Sequence, residues 1–303
     1  MPEKTIPFPP SKGYSLHIGL NRVDPAHYNG WSGQLNACEK DALDMEAIAK
    51  AQGYQTQKLL TAQATAANVI TTIKKVASLA KPTDTFLLTY SGHGGQINDA
   101  ADDEPDGLDE TWVLYDRQLI DDELFQLWCS FRPGVRIFSL SDSCHSGTVT
   151  KAMFQTPREM LPKFEEKTRM AKDTSTKIKA MPPDVQFETY QKNKKMYDDI
   201  RLTLGPFRRI NPACSVILIS GCQDNQTSMD GPVNGAFTGA LLKVWSNGTF
   251  VGSHPHFRKD IAALLPPTQS PNYYVVGSSN VLFEMQRPFT VMAPHFAAVG
   301  KAA

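Results

Sequence analysis

The sequence has few cysteines, no long apolar run and no excess of charge of either sign. Five cysteines in 303 residues, with no C-x-x-C pair, argue against a disulfide framework or a zinc finger and predict a reducing, cytoplasmic setting. The 31 basic and 31 acidic side chains cancel, which predicts that the protein binds neither nucleic acid nor a membrane surface. The longest apolar run, residues 261–265, is far shorter than the roughly 18 to 20 residues that cross a bilayer, so no membrane-spanning helix is expected.

The composition favours one large domain with a full apolar core. Hydrophobic residues make up 41% of the chain and charged residues 20%, which excludes a disordered or fibrous protein. Four prolines lie in the first ten residues without an apolar segment beside them, so we predict an extended lead-in over residues 1–13 and not a secretory signal. The predicted domain covers residues 14–290, followed by a tail at 291–303.

Apolar strands alternate with amphipathic helices along this domain. In the first helix, Leu43, Ala47, Ile48 and Ala51 share the face that we expect to be buried. The alternation predicts an α/β fold with a mostly parallel sheet covered by helices on both faces, and chemistry at the carboxyl ends of the strands. We predict strands at 15–20, 54–60, 84–92, 135–140, 214–221 and 272–277, and helices at 36–53, 65–80, 121–132, 235–245 and 257–265.

Two segments carry unbalanced charge. Residues 98–123 hold eleven Asp or Glu against Arg117 alone, which indicates a long functional loop or a divalent-cation site. Residues 151–210 hold 14 Lys or Arg against eight acids. This basic insertion is interpreted as a solvated segment with some helix, or as a source of Lys or Arg bonds for cleavage.

Two predicted strands end in reactive side chains among small residues. His93 follows the strand at 84–92 within the letters YSGHGG, and Cys144 follows the strand at 135–140 within DSCHSG. An imidazole beside a thiol raises its thiolate fraction and later protonates a leaving amine. Because the two residues are 51 positions apart with one helix between them, they meet at one rim of the sheet if their strands are neighbours.

These motifs resemble the caspase-like cysteine peptidases of the metacaspase and orthocaspase branch. The spacing of His93 and Cys144 matches the caspase rule of about 50 residues, while DSCHSG stands in place of the caspase Q-A-C-[RQG]-G signature. The resemblance covers about residues 14–277 and is weakest in the basic insertion. It implies a caspase-haemoglobinase-like three-layer sandwich. Further matches lie at 36–41, 106–110, 120–124, 219–228 and 235–238.

The resemblance also implies catalytic roles. Cys144 would attack the peptide carbonyl, and His93 would act as the general acid and base. The backbone N–H groups of Gly94 and Cys144 would form the oxyanion hole, which is typically worth roughly 3 to 4 kcal/mol per donor.

Substrate specificity follows from two carboxylates. Asp142 lies two residues before the nucleophile and Asp41 lies on the first helix, where both could pair with a Lys or Arg side chain. The matching positions in metacaspases, together with Cys38 and Ser91, line the S1 pocket. We therefore predict cleavage after Arg or Lys and not after Asp.

The resemblance bears on calcium as well. In calcium-dependent relatives four acids form a cation site, and Asp109, Asp121 and Asp122 match three of them. The fourth position is Lys151, whose ammonium cannot ligate calcium. We predict no metal ligands and no required cofactor, with weak calcium dependence as the alternative.

The sequence thus predicts a cysteine endopeptidase that acts on polypeptides with Arg or Lys at the cleavage site and processes itself within the basic insertion. The alternatives are a catalytically silent pseudo-peptidase that binds basic peptides or a partner protein, and a calcium sensor. From the resemblance we expect a monomer.

Overall fold

The computed structural model describes residues 10–98, 108–144, 177–204, 211–222 and 228–291. In these ranges the strands are β1 (Gly13–Gly19), β2 (Tyr54–Leu60), β3 (Thr85–Ser91), β4 (Gly94–Asn98), β5 (Leu108–Val113), β6 (Gln118–Ile120), β7 (Arg136–Asp142), β8 (Lys177–Ile178), β9 (Ser215–Ser220), β10 (Met229–Asp230) and β11 (Asn272–Gly277). The α-helices are α1 (Cys38–Ala51), α2 (Ala66–Leu79), α3 (Asp121–Cys129), α4 (Pro183–Leu204), α5 (Ala236–Trp245), α6 (His254–Ala263) and α7 (Val281–Met285).

A six-stranded sheet forms the centre of the fold. Its strand order is β11-β9-β7-β3-β1-β2, and every neighbouring pair is parallel except β9 and β11. The parallel pairs bring the carboxyl ends of β1, β3, β7 and β9 to one rim. The prediction of a mostly parallel sheet is confirmed.

Helices cover both faces of this sheet because successive strand residues point to opposite sides. Phe86 and Leu88 pack with Val69 of α2 and Leu127 of α3 in one apolar cluster. Leu87 packs on the other side, in a cluster that includes side chains of α1, α5, α6 and α7. The result is a three-layer sandwich with two cores.

The buried face of α1 differs from the predicted one. Leu43 is 39% exposed, and Ala47 and Ala51 are exposed as well. Ile48 is buried as predicted, but the rest of the buried face is formed by Cys38, Ala42, Met45 and Ala49, with Asp41 beside them. Asp41 can be buried on this face because its carboxylate pairs with Lys179 inside the protein.

The acidic segment contains regular structure where we expected a long loop. β5 pairs with β4 and β6 in a small antiparallel sheet, and α3 begins at Asp121 as predicted. The acidic side chain of Asp109 on β5 is buried, and Arg201 supplies its counter-charge. Residues 99–107 lie outside the described ranges.

The basic insertion is partly built into the fold. β8 pairs antiparallel with β10, and α4 buries Tyr190 and Tyr197 against Ile97 and Ile120. The first part of the insertion, with Lys151, lies outside the described residues, as do residues 1–9 and 292–303. In the described ranges, no helix combines the length and apolar character that crossing a membrane requires.

Candidate active site

The two predicted catalytic residues follow neighbouring strands. β3 and β7 are parallel, and Ser91 lies opposite Asp142 in their register. His93 and Cys144 each come two residues after that pair, so they leave the sheet at the same rim. Both are buried, with exposed fractions of 6% and 0%.

The His93 ring is oriented by the loop after β1. Its Nε2–H donates to the carbonyl oxygen of Gly33 at 3.0 Å, and its ring centroid lies 4.7 Å from that of Trp31. This hydrogen bond places the proton on Nε2 and leaves Nδ1 as the basic nitrogen, which has no hydrogen-bond partner among the described residues. Burial lowers the pKa of His93 to about 4, while nearby backbone groups of Gly33 and Ala180 oppose that shift.

The thiol of Cys144 is enclosed. Its Sγ donates to the carbonyl oxygen of Ser228 at 3.3 Å and also contacts the Ser228 N–H. Burial, followed by the neighbouring thiol of Cys222, raises the pKa of Cys144 well above its usual range. Cys144 and His93 are therefore a neutral pair in this closed arrangement.

Two backbone N–H groups at the rim converge on one oxygen atom. The N–H of Gly94 donates to the carbonyl oxygen of Lys179 at 3.0 Å, and the N–H of Cys144 donates to the same oxygen at 3.1 Å. These are the two groups for which the sequence predicts the oxyanion hole. Paired N–H donors aimed at one oxygen are the geometry that stabilises a developing oxyanion.

The side chain of Lys179 lies in a buried acidic pocket. Its Nζ is 3.0 Å from Asp41 Oδ2, 3.0 Å from Asp142 Oδ2 and 2.8 Å from Ser91 Oγ. Burial alone would lower the pKa of Lys179, but Asp142, Cys38 and Asp41 outweigh it and raise that pKa well above its usual range. The structure thus brings Asp41, Asp142 and Ser91 within hydrogen-bond distance of one ammonium group, with Cys38 beside it. We call these four residues the S1 pocket after their predicted role.

Further groups hold the two carboxylates in place. Asp41 accepts hydrogen bonds from the N–H of Gly235 and from Asn234 Nδ2, both at 3.0 Å. Asp142 accepts from Ser228 Oγ at 2.6 Å and from Thr238 Oγ1 at 2.9 Å. These contacts fix the position of both carboxylates, which also face the Lys179 ammonium group.

Sequence reasoning missed several of these residues. Lys179 stood out only as one of fourteen basic residues, and nothing local marks it as the occupant of the pocket. Gly235 opens α5 within a motif that the resemblance quotes, which was the available signal. Gly33 and Trp31 lie in a loop whose contact with His93 depends on the tertiary fold.

The acidic residues matched to a calcium site do not form a metal centre in the described part of the chain. Asp109 Oδ2 is 2.6 Å from Arg201 Nη2, and both side chains are buried. Burial, with Asp109 and Asp122 nearby, raises the pKa of Asp121 well above its usual range. Across the described residues, no group of three or more His, Cys, Asp or Glu side chains could hold a metal ion. Lys151, which matches the fourth acid, lies outside them.

Comparison with known proteins agrees with this architecture. The family model of the caspase domain, peptidase family C14, matches residues 23–275. Metacaspase-1 of Kluyveromyces lactis is 30% identical over 268 residues, covering 80% of this chain and 59% of that protein. Metacaspase-1A of Aspergillus fumigatus is 31% identical over 267 residues, covering 80% of this chain and 62% of that protein. The chain thus spans about three fifths of the length of the curated relatives that it matches.

A solved structure is similar over almost the whole chain. The crystal structure of a Geobacter sulfurreducens protein has a TM-score of 0.81 and 47% sequence identity, and the match covers 93% of this chain and 99% of that one. The protein described here is a three-layer α/β protein of the caspase-like class, and the predicted fold is confirmed. The chain belongs to the caspase-domain family of peptidases, with metacaspases among its relatives.

Proposed function

We propose that this protein is a cysteine endopeptidase that cleaves polypeptides after Lys or Arg through Cys144 and His93. The observation that carries the proposal is the arrangement around one residue: two N–H donors meet at its carbonyl oxygen, and two carboxylates hold its ammonium group. A substrate Lys or Arg would bind in the same way. An aspartate side chain would be repelled by Asp41 and Asp142.

The proposed reaction follows from the positions of the groups. His93 Nδ1 takes the thiol proton as Cys144 Sγ adds to the substrate carbonyl carbon. The N–H groups of Gly94 and Cys144 stabilise the resulting oxyanion. His93 then protonates the leaving amine, and water hydrolyses the thioester.

A peptide assay tests this proposal. Fluorogenic peptides ending in Arg, Lys or Asp are compared on the wild type, Cys144→Ala and His93→Gln. We expect the wild type to hydrolyse the Arg and Lys peptides but not the Asp peptide. We expect no activity from either variant. Equal hydrolysis of the Asp peptide would overturn the specificity, and unchanged activity of Cys144→Ala would overturn the nucleophile.

The second candidate is a pseudo-peptidase that binds a basic peptide without turnover. Its supporting observation is the enclosed thiol: Cys144 is 0% exposed and its pKa is raised. Binding of a labelled Arg peptide to Lys179→Gln, which removes the ammonium group from the pocket, without hydrolysis by that variant, would favour this function.

Three further properties belong to the same proposal. We propose that the peptidase requires no metal cofactor, because Arg201 supplies the positive charge beside Asp109. We also propose a monomer in the reducing cytoplasm, where the five free thiols would persist. Self-processing within the basic insertion is the third property. Activity with added calcium and with a chelator, and sedimentation of the Cys144→Ala variant, test the first two.

A further inference from the structure

The segment from Lys177 to Met181 crosses the candidate active site as an extended chain. On one side of Lys179, β8 pairs antiparallel with β10, and the N–H of Lys179 donates to the carbonyl oxygen of Ser228 at 3.0 Å. On the other side, the N–H of Met181 donates to the carbonyl oxygen of Gly94 at 2.8 Å. Main-chain pairing on both sides of a residue is how an extended peptide binds at a strand edge.

Lys179 supplies both groups that the proposed function requires of a substrate. Its carbonyl oxygen accepts from the N–H groups of Gly94 and Cys144, and its ammonium group lies between Asp41 and Asp142. The side chain is completely buried. An external Lys or Arg side chain cannot enter the S1 pocket while Lys179 occupies it.

We propose that the Lys179–Ala180 peptide bond is the protein's own cleavage site, bound in cis as a substrate, and that the segment excludes other substrates until this bond is cut. The inference rests on the proposed function and adds to it a specific scissile bond and a reason for the closed site. Lys179 is thereby distinguished from the other basic residues of the insertion by its contacts, not by its sequence.

The position of Ala180 fits the leaving group. Ala180 forms an isolated bridge with Gly94, the residue that follows His93 in the chain. The thiol must first leave its contacts with Ser228 and turn toward the Lys179 carbonyl carbon.

The step balances with water as the only co-reactant. The bond from Cys144 Sγ to the Lys179 carbonyl carbon forms, and the thiol proton passes to His93. The C–N bond then breaks, its electron pair stays on the Ala180 nitrogen, and His93 returns the proton to that nitrogen. Water attacks the thioester, the C–S bond breaks, and the products are a Lys179 carboxylate, an Ala180 amine and the restored thiol.

The cut frees the end at Lys179, which β8 and β10 hold through two residue pairs, so that Lys179 can leave the S1 pocket and open it to other substrates. The end at Ala180 stays anchored through Met181, whose carbonyl oxygen accepts from Gln186 Nε2 at 2.6 Å. The two fragments stay associated under native conditions through the pairing of β7 with β9 in the central sheet. The cut must be measured after denaturation.

Denaturing intact-mass spectrometry of the full chain is the first test. The wild type is incubated beside Cys144→Ala, Lys179→Gln, Ala180→Pro and the control Lys195→Gln, which changes an exposed lysine of the same insertion. Fragments that end at Lys179 and begin at Ala180 are expected for the wild type and for Lys195→Gln only. A wild type that stays whole, or is cut only at other residues, overturns the proposal.

The Ala180→Pro variant guards against a folding artefact. It keeps Lys179 and both ion pairs, and the pairing with Gly94 uses the Lys179 carbonyl and the Met181 N–H, not the Ala180 N–H. The X–Pro bond that it creates replaces the scissile amide with a tertiary one. If Ala180→Pro is not cut and its melting temperature equals that of the wild type, the substitution has removed the scissile bond without disrupting the fold.

Hydrolysis of an external Arg peptide separates the two proposals. Lys179→Gln, with an empty pocket, is expected to hydrolyse it without a lag and at least tenfold faster than Ala180→Pro, in which Lys179 still fills the pocket. Equal rates in these two variants would overturn the exclusion of substrates. If Lys179→Gln hydrolyses the peptide while the wild type stays uncut, the inference is wrong and the proposed function stands. If no variant hydrolyses the peptide, the proposed function is wrong as well.

Discussion

The S1 pocket ends at a residue without a side chain. A Cβ atom at Gly235 would lie within 3.0 Å of the Lys179 ammonium and of the Asp142 and Asp41 carboxylates. Gly235→Ala is therefore expected to lower kcat/KM for Arg and Lys peptides at least tenfold, because the methyl group fills the space of the substrate cation. Kinetics in the Lys179→Gln background measure this effect on an accessible pocket.

Gly239, which lies inside helix α5 just after Gly235, provides the control. A Cβ at Gly239 would have an ordinary 3.7 Å contact with Asn234. Gly239→Ala should leave kcat/KM unchanged and raise stability by roughly 0.5 to 1 kcal/mol, since alanine is the better helix residue. Equal losses in both variants would mean that α5 tolerates no substitution, and the pocket argument would fail.

The charge of the pocket gives a separate prediction. Asp142→Asn removes one carboxylate beside the substrate cation and keeps the size of the side chain. A hydrogen bond between charged groups is worth about 1.5 to 3 kcal/mol, so kcat/KM for Arg and Lys peptides should fall at least tenfold. Asp199→Asn, at an exposed ion pair on α4, should have no effect. A similar fall in both variants would show that total charge, and not the pocket, governs the rate.

At the scale of single residues, sequence reasoning works where the signal is local. His93 and Cys144 stand out because each follows an apolar strand among small residues, and the fold places both at one rim. Lys179 is different, since its role depends on contacts with Asp41 and Ser91, 138 and 88 positions away along the chain. No pattern near Lys179 records those contacts.

The same distinction holds for whole elements. Strands β2 and β11 have the predicted bounds, because uninterrupted apolar or alternating runs with clear ends determine them. The sequence does not predict the antiparallel strands β4 to β6, because β4 and β6 are short and β5 carries two acidic residues within an acidic segment. An acidic residue whose counter-charge lies far away along the chain can belong to a strand, and a local sequence pattern does not predict this.

Helix α4 is tied to the rest of the protein through that pair. Arg201 and Asp109 are both buried, and Arg201 also lies over the ring of Tyr190, 5.9 Å from its centroid. Removing one partner of a buried ion pair costs about 3 to 5 kcal/mol. Arg201→Met should therefore lower the free energy of unfolding by that order, measured by denaturant titration in the Cys144→Ala background.

An exposed cation on the same helix is the matched control. Lys195 and Asp199 form a largely exposed pair, so Lys195→Met should change stability by less than about 1 kcal/mol. Because Arg201 already supplies a positive charge beside Asp109, we also expect that calcium does not shift the melting temperature of the parent protein. A parent protein that calcium stabilises strongly would contradict the assignment of Arg201 as the counter-charge.

At the scale of the whole molecule, buried histidines predict how stability depends on pH. Burial lowers the pKa of His17 to about 3 and the pKa values of His93 and His254 to about 4, from the usual 6.5. Below pH 6.5 the unfolded chain binds protons at these residues while the folded chain does not. Acidification from pH 6.5 toward pH 4 therefore favours unfolding, and stability above pH 6.5 is not affected by these groups.

The size of this effect can be measured and assigned. Each pKa unit corresponds to roughly 1.4 kcal/mol, so three such histidines together reduce stability by several kcal/mol between pH 6.5 and pH 4. Denaturant titrations of Cys144→Ala at pH 7, 6, 5 and 4 give the slope, and added His17→Gln should reduce it. His17 is the best residue for this test because it lies on β1, hydrogen bonded to Thr89 Oγ1 and Ser15 Oγ at 2.9 Å, away from the reacting groups. A slope that His17→Gln leaves unchanged would show that groups other than this histidine control the acid transition.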